Sequence, residues 1–187
     1  MQNYNLILAS GSPRRKQILA EAGINFTVKP ADINEDNYPS DLSVYEVPAY
    51  LAKLKAEAIT TSGAEIVLAA DTVVIIDNKI LGKPSDSNDA FNILKQLSGR
   101  MHEVVTGVCI KSQDEAVIFS ETTEVYFKEL NDEEVLFYID KFKPFDKAGG
   151  YGIQEWIGMI GVEKINGSFY NVMGLPIATI YQHLKTF

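Results

Sequence analysis

The chain has 187 residues and a formal net charge of −8, with 46% hydrophobic and 22% charged residues. This length suits a single globular domain over residues 1–187. The negative charge argues against nucleic acid or an anionic membrane surface as the main partner. The single cysteine, Cys109, excludes an intramolecular disulfide and favours a reducing compartment. We expect no secretory leader and no membrane span, and therefore a cytoplasmic protein.

The first patterned segment is an apolar strand at 5–9 that runs through a small-residue turn into a helix. Ser12 suits the N-cap of this helix and Pro13 suits its first position. Arg14 and Arg15 then place two cations beside the positive end of the helix dipole, where carboxylates are favoured. Such an arrangement is typical of a phosphate site. The alternative is that both arginines are solvated and the turn has no ligand.

Strands and helices alternate along the rest of the chain. Further helices are predicted at 46–60, from Ser85–Ser87 to Gly99, from the capping box at Asn131, and after Pro176. The predicted strands are 25–28, 66–76, 79–81, 102–111 and 116–127. Residues 30–43 are polar and predict a surface loop.

Two short turns predict hairpins. Asp77-Asn78 connects the strands 66–76 and 79–81, and Asn166-Gly167 is predicted to connect strands at 159–165 and 168–172. Together these patterns predict an α/β fold, in which a single domain contains a mixed twisted β-sheet flanked by helices.

Asp71 interrupts the most apolar predicted strand. A buried carboxylate without a partner costs several kcal/mol, so a metal ion, a lysine or hydrogen bonds must compensate it. Two small residues, Ala69 and Ala70, precede it and leave room for a ligand. The alternative is a structural aspartate that caps a bulge or pairs with one lysine.

The segment 143–154 carries three glycines within four positions, which allows its backbone to approach a ligand closely. Its Asp146-Lys147 pair could order a site or contact phosphate, although a flexible loop is an equally good interpretation. Lys83 lies earlier in the chain, on a rigid turn just after the predicted strand 79–81, where a lone lysine is usually solvated. Lys55 lies on the apolar face of its predicted helix, where snorkelling is the ordinary explanation.

Eight short motifs occur in a fixed order along the chain. They are LASGSPRR at 8–15, LAKLKA at 51–56, ADTVV at 70–74, GKP at 82–84, LSGRMH at 97–102, DKAG at 146–149, YGIQ at 151–154 and GLP at 174–176. As a set, they resemble the Maf family of nucleoside triphosphate pyrophosphatases. The resemblance implies an ITPase-like fold with a nucleotide-binding cleft, and hydrolysis between the α and β phosphates with Mg²⁺ or Mn²⁺. It also implies a cytoplasmic homodimer.

The same resemblance implies roles for individual residues. Asp71 matches the proton acceptor that activates water, and Glu35 falls where the family has a metal-binding carboxylate. Both carboxylates offer oxygen ligands suited to Mg²⁺ or Mn²⁺, so base, metal ligand and both stay open as roles of Asp71. The positions that separate a dTTP and UTP group from a 7-methyl-GTP group are Arg14, Thr72 and Gln154. The polar positions that match the phosphate site are Ser10, Ser12, Arg15, Lys55 and Lys83. Lys147, from the glycine-rich segment, is a further candidate for contact with phosphate. Two residues depart from the family pattern: Gly150 stands where alanine is usual, and Asn34 replaces an acidic neighbour of Glu35.

The predicted activity is therefore hydrolysis of dTTP and UTP, with modified pyrimidine nucleotides as further candidates. The side-chain amide of Gln154 could meet the N3–H and O4 edge of uracil or thymine. Two alternatives stay open: a 7-methyl-GTP pyrophosphatase, and a nucleotide-binding regulator of septum formation whose hydrolysis is incidental. His102 and Trp156 are interpreted as structural residues.

Overall fold

The structure is a computed structural model that describes residues 4–187. Within them the strands are β1 (Asn5–Leu8), β2 (Phe26–Val28), β3 (Glu65–Ile76), β4 (Lys79–Leu81), β5 (Met101–Lys111), β6 (Ala116–Phe127) and β7 (Val162–Asn166). The strands form one sheet in the order β2-β1-β3-β5-β6-β7, and β4 pairs with β3. β1 is parallel to β2 and β3, whereas the β3–β4 and β6–β7 pairs are antiparallel. The predicted mixed sheet is therefore confirmed.

The helices are α1 (Pro13–Glu21), α2 (Val47–Glu57), α3 (Ser87–Leu97), α4 (Asp132–Phe142), a 3₁₀ turn (Ala148–Gly150), α5 (Trp156–Gly161), α6 (Phe169–Val172) and α7 (Ile177–Leu184). The longest, α2, α3 and α4, have 11 residues each. A membrane-spanning helix needs about 20 apolar residues. In the chain from residue 4 onward, none of the helices has the length and apolarity to cross a membrane.

The chain divides into two compact units. The first unit comprises the chain up to Asp71 together with Thr106–Glu121 and Gly174–Phe187. The second unit comprises Thr72–Val105 and Thr122–Met173. The assignment of residues 1–187 to a single domain stays a prediction.

In the first unit, α2 packs closely on the sheet. Ala52 and Ala56 of α2 belong to one buried apolar cluster with Val67 and Ala69 of β3. A Cβ atom added at Gly107 of β5 would lie 2.1 Å from the backbone nitrogen of Ala49. Only glycine therefore lets the first turn of α2 lie this close to β5. This contact fixes where α2 places its polar residues.

Cys109 belongs to the same buried apolar cluster. It is 1% exposed, and burial raises the pKa of its thiol to about 11. Cysteine chemistry needs the thiolate, so this thiol is inert in the folded chain. Cys109 is therefore a small residue of the apolar core.

Local sequence signals predict several element boundaries correctly. Ser12 caps α1, Pro13 is its first residue, and the helix ends before Gly23, which has a φ of 71°. Asn131 forms the predicted capping box with Glu134 at the start of α4. The β3–β4 turn has positive φ at both central residues, as expected for an Asp-Asn hairpin.

The hairpin predicted at Asn166-Gly167 is wrong. The segment 156–161 is helix α5, and the residues after the turn form α6 instead of a strand. Two contacts explain this outcome. Thr123 Oγ1 of β6 accepts a hydrogen bond from the backbone N–H of Ser168 at 3.0 Å, and Ser168 caps α6 through the N–H of Asn171. The turn therefore ends β7, which pairs with β6, and leads into α6.

Candidate functional site

The predicted phosphate turn lies between β1 and α1, in the first unit. The hydroxyl of Ser10 accepts hydrogen bonds from the backbone N–H of Ser12 and from Nη1 of Arg15, each at 3.2 Å. The hydroxyl of Ser12 accepts a hydrogen bond from the Arg15 N–H and caps the helix. The three residues predicted to line a phosphate site here are therefore brought together in one turn.

The guanidinium of Arg15 is anchored by the backbone of the chain. Its Nε donates a hydrogen bond to the carbonyl oxygen of Gly174 at 2.8 Å. Burial lowers the pKa of Arg15, the Asp71 carboxylate opposes this shift, and the Arg14 cation adds to it. Arginine nevertheless stays charged in proteins. The N-terminus of α1 thus combines two cations with the helix dipole, which suits a phosphate.

Lys55 of α2 lies between two predicted metal ligands. Its Nζ is 2.6 Å from Oδ1 of Asp71, in the middle of β3, and 2.7 Å from Oε1 of Glu35, in the 30–43 loop. Lys55 and Asp71 are 6% and 8% exposed, whereas the Glu35 side chain is 45% exposed. A single ammonium group therefore connects three segments of the first unit.

This arrangement supplies a partner for Asp71, and it fits both the catalytic and the structural interpretation of that residue. The buried carboxylate is compensated by a lysine, which was one of the predicted possibilities. The snorkelling interpretation of Lys55 is wrong, because its ammonium group points to the buried Asp71 and is itself almost inaccessible. The ammonium group lies inside the protein because the buried carboxylate of Asp71 needs an opposite charge nearby.

Four predicted site residues belong to the second unit: Thr72, Lys83, Lys147 and Gln154. Thr72 follows Asp71 on β3 and is half-buried. The exposed Lys83 lies on the turn after β4, and the carbonyl of Gly82 accepts a hydrogen bond from the N–H of Gly149 at 3.0 Å. The Lys83 turn is therefore joined to the glycine-rich segment that contains Lys147.

Gly149 allows this segment to lie against β3. A Cβ atom at this position would be 2.8 Å from Cγ2 of Val74, and the residue has a φ of 66°. Both the space and the backbone conformation therefore require glycine.

Lys147 is buried between two carboxylates. Its Nζ is 2.7 Å from Oδ1 of Asp146 and 3.2 Å from Oε1 of Glu155. Lys147 is 7% exposed. Its charge is thus already balanced within the second unit, and its predicted contact with phosphate stays a prediction.

Gln154 carries a buried acceptor atom. Within residues 4–187, its Oε1 has no hydrogen-bond partner. A buried polar atom without a partner costs about 1–3 kcal/mol. A ligand that donates a hydrogen bond to Oε1 would recover this cost.

Comparison with known proteins identifies the family of this chain. The profile of the family described as Maf-like protein matches residues 5–187. The chain belongs to the Maf family. This membership agrees with the resemblance carried by the eight motifs.

Several relatives of this Maf protein share its full length. A protein of Parabacteroides distasonis named dTTP/UTP pyrophosphatase is 48% identical over 189 residues, covering 100% of the chain and 98% of the relative. Proteins with the same name from Porphyromonas gingivalis and Bacteroides thetaiotaomicron are 50% and 44% identical. These two alignments cover 100% and 99% of the chain, and 96% and 97% of the relatives.

Among solved structures, the Maf chain is similar to a HAM1 protein from Coxiella burnetii. The TM-score is 0.48 at 16% identity, covering 66% of the Maf chain and 73% of the other.

The sequence did not indicate a role near Gln154 for two polar residues of the Maf protein, Tyr138 of α4 and Glu155. The Tyr138 hydroxyl donates a hydrogen bond to Oε2 of Glu155 and accepts one from the N–H of Gly152 at 3.0 Å. A tyrosine on the inner face of a helix buries its hydroxyl, which then needs a partner. That signal was present in the helical spacing of Tyr138, but it did not identify the partner.

His102 packs in the second unit of the Maf protein, as expected for a structural residue. Its Nε2 is 2.7 Å from the hydroxyl of Tyr151, and its ring meets the rings of Tyr151 and Phe127 edge-on. Burial lowers the pKa of His102 to about 3, so the folded chain holds this ring neutral.

The buried His102 ring predicts a pH dependence of stability. Its folded-state pKa lies below the usual 6.5, so the unfolded chain binds a proton that the folded chain does not. We expect this residue alone to lower the free energy of unfolding by about 2 kcal/mol between pH 7.5 and pH 5. Urea unfolding at both pH values measures the loss. The His102→Asn variant should lack it, and an equal loss in that variant would contradict the assignment.

Proposed function

We propose that this Maf protein hydrolyses dTTP and UTP to the nucleoside monophosphate and pyrophosphate, with Asp71 as the proton acceptor. The observation that carries the proposal is the buried Asp71–Lys55 pair in the same unit as the Ser10–Arg15 turn. A base and an anion-binding turn are the two parts that this hydrolysis needs. The shared name of the full-length relatives from Parabacteroides and Porphyromonas supports the choice of substrate.

The reaction breaks the bond between the α and β phosphates. Water attacks the α-phosphorus, and its proton passes to the carboxylate of Asp71. Pyrophosphate then leaves with the oxygen that bridged the α and β phosphates. Phosphoryl transfer depends mainly on positioning and on charge stabilisation. Arg15, with Ser10 and Ser12, would bind phosphate oxygens of the triphosphate. Lys55 holds Asp71 in place and balances its charge.

The carboxylates of Glu35 and Asp71 converge on Lys55 in this structure, and their oxygens are the donors that we assign to a divalent metal. Carboxylate oxygens are the ligands that Mg²⁺ and Mn²⁺ prefer. Across residues 4–187, no group of three His, Cys, Asp or Glu side chains converges as a metal cage. Mg²⁺ commonly uses one or two protein carboxylates together with substrate phosphates. When bound there, the ion would neutralise phosphate charge.

Base selection is assigned to Gln154, with Thr72 and Arg14 as further specificity residues. The N3–H of uracil or thymine would donate to the buried Oε1 of Gln154, which has no partner in the described chain. Cytosine presents an acceptor at N3 and would leave Oε1 unsatisfied. Discrimination of this kind is strong, because the wrong base leaves a buried polar atom unpaired.

The proposal includes the cytoplasm as location and a homodimer as the assembly. A single thiol, buried in the core, suits a reducing compartment. The dimer follows from the resemblance to the Maf family.

Product analysis on dTTP, UTP, CTP and 7-methyl-GTP with Mg²⁺ or Mn²⁺ tests the function. We expect pyrophosphate from dTTP and UTP, with kcat/KM at least about tenfold above that for CTP. Release of orthophosphate would contradict the bond assignment. A preference for 7-methyl-GTP would place the protein in the other substrate group. Tight binding without turnover on every nucleotide would favour the regulator.

A further inference from the structure

Gln154 lies in a tight turn whose two ends meet. The N–H of Glu155 donates a hydrogen bond to the carbonyl of Gly152 at 3.0 Å, so the backbone closes around Ile153 and Gln154. The orientation of this turn decides where the buried Oε1 of Gln154 points. A small rotation of the turn would therefore move the acceptor away from a bound base.

Both ends of the turn are held by one hydroxyl group. The Tyr138 hydroxyl accepts from the N–H of Gly152 at one end and donates to the carboxylate of Glu155 at the other. Tyr138 is fully buried on α4, so its ring cannot easily move. The phenol therefore ties the turn to a rigid helix.

The packing around Gly152 makes this attachment stiff. A Cβ atom at Gly152 would lie 2.9 Å from Cδ of Glu155 and 3.2 Å from Cε of Lys147. The other carboxylate oxygen of Glu155 pairs with Lys147 at 3.2 Å. The Glu155 carboxylate is thus fixed from two directions, by a phenol and by an ammonium group.

We propose that Tyr138 is a positioning residue for base selection, because its hydroxyl fixes both ends of the turn that carries Gln154. The inference rests on the proposed function, in which Gln154 reads the N3–H of uracil or thymine. Tyr138 itself contacts no substrate in this scheme. It acts through Gln154, and Glu155 supports it from the other side of the turn.

The Tyr138→Phe variant tests the inference, because it removes the hydroxyl and keeps the ring. Two ratios are measured: kcat/KM for UTP over CTP, and the affinity for UMP over CMP. We expect both ratios to fall by about tenfold, because the turn then holds the Oε1 acceptor of Gln154 less firmly. The loss should appear in KM for UTP, with kcat nearly unchanged.

A double-mutant cycle separates positioning from general damage. In a Gln154→Ala background, Tyr138→Phe should lower neither ratio further, because Tyr138 acts through Gln154. Tyr126→Phe is the matched control. It also removes a phenol–carboxylate hydrogen bond in the second unit, to Glu124 at 2.7 Å, and both ratios should stay at the wild-type value. If Tyr138→Phe does not fold, Glu155→Gln weakens the same attachment and should lower the ratios as well.

The outcomes distinguish the inference from the function on which it rests. If wild-type protein cleaves UTP but Tyr138→Phe changes UTP and CTP kinetics by the same factor, the positioning role is overturned. Independent losses from Tyr138→Phe and Gln154→Ala would overturn it as well. If wild-type protein releases no pyrophosphate from UTP, the proposed function fails. The ratio of UMP to CMP affinity then still decides whether Tyr138 positions Gln154.

Discussion

Replacement of Asp71 by asparagine should lower the rate of pyrophosphate release from dTTP and UTP by about 100-fold to 10,000-fold, which is the usual contribution of a general base. Asparagine has the same shape but cannot accept the proton of the attacking water. The ammonium group of Lys55 keeps Glu35 as an ionic partner, so we expect the fold to persist. Single-turnover kinetics with each nucleotide measures the rate, and circular dichroism measures the fold.

Asp77→Asn provides the control for this substitution. Asp77 directly follows β3, and its carboxylate pairs with Arg100 at 2.6 Å on an exposed turn. The same chemical change should leave the rate within about twofold of wild type, because Asp77 belongs to an exposed ion pair outside the proposed site. A similar loss of rate in both variants, or normal turnover by Asp71→Asn, would exclude Asp71 as the proton acceptor.

Replacement of Lys55 by methionine should lower the free energy of unfolding by about 3 to 5 kcal/mol, because it leaves the buried Asp71 carboxylate without its cation. Methionine keeps the length and the apolar stem of the side chain. Turnover should also fall, since the charges of Asp71 and Glu35 are no longer balanced by one group. Urea unfolding near neutral pH measures the stability.

Lys53→Met is the matched control on the same helix. Lys53 lies two residues earlier and pairs with Glu57 at 3.8 Å, with both side chains about half exposed. Its loss should change stability by no more than about 0.5 kcal/mol. If Lys55→Met and Lys53→Met are equally stable, the Lys55–Asp71 pair does not stabilise the fold.

Features that depend on neighbouring residues could be predicted from the sequence. The cap at Ser12, the capping box at Asn131 and the Asp77-Asn78 turn each need only three or four adjacent residues. The buried strand around Asp71 was also predictable, because its apolar run is long. Each motif that identifies the family is likewise a short run of adjacent residues.

Features that depend on distant residues could not be predicted in this way. An Asn-Gly turn signals a hairpin, but at Asn166-Gly167 the outcome was decided by Thr123, more than forty residues earlier in the chain. The need of Asp71 for a partner was evident, whereas the choice of Lys55 depends on how α2 packs on β3. The contact of Tyr138 with Glu155 likewise arises only when α4 meets the turn that carries Gln154.

The buried thiol of Cys109 can serve as a natural probe for opening of the core. The chain has one cysteine, and it lies in the apolar cluster beneath Ala52 and Ala56 of α2. A thiol-specific reagent can therefore label only molecules in which that core has opened. When reclosing is fast compared with labelling, the labelling rate gives the population of the open form. The population of molecules with an opened core can thus be measured without attaching any foreign probe.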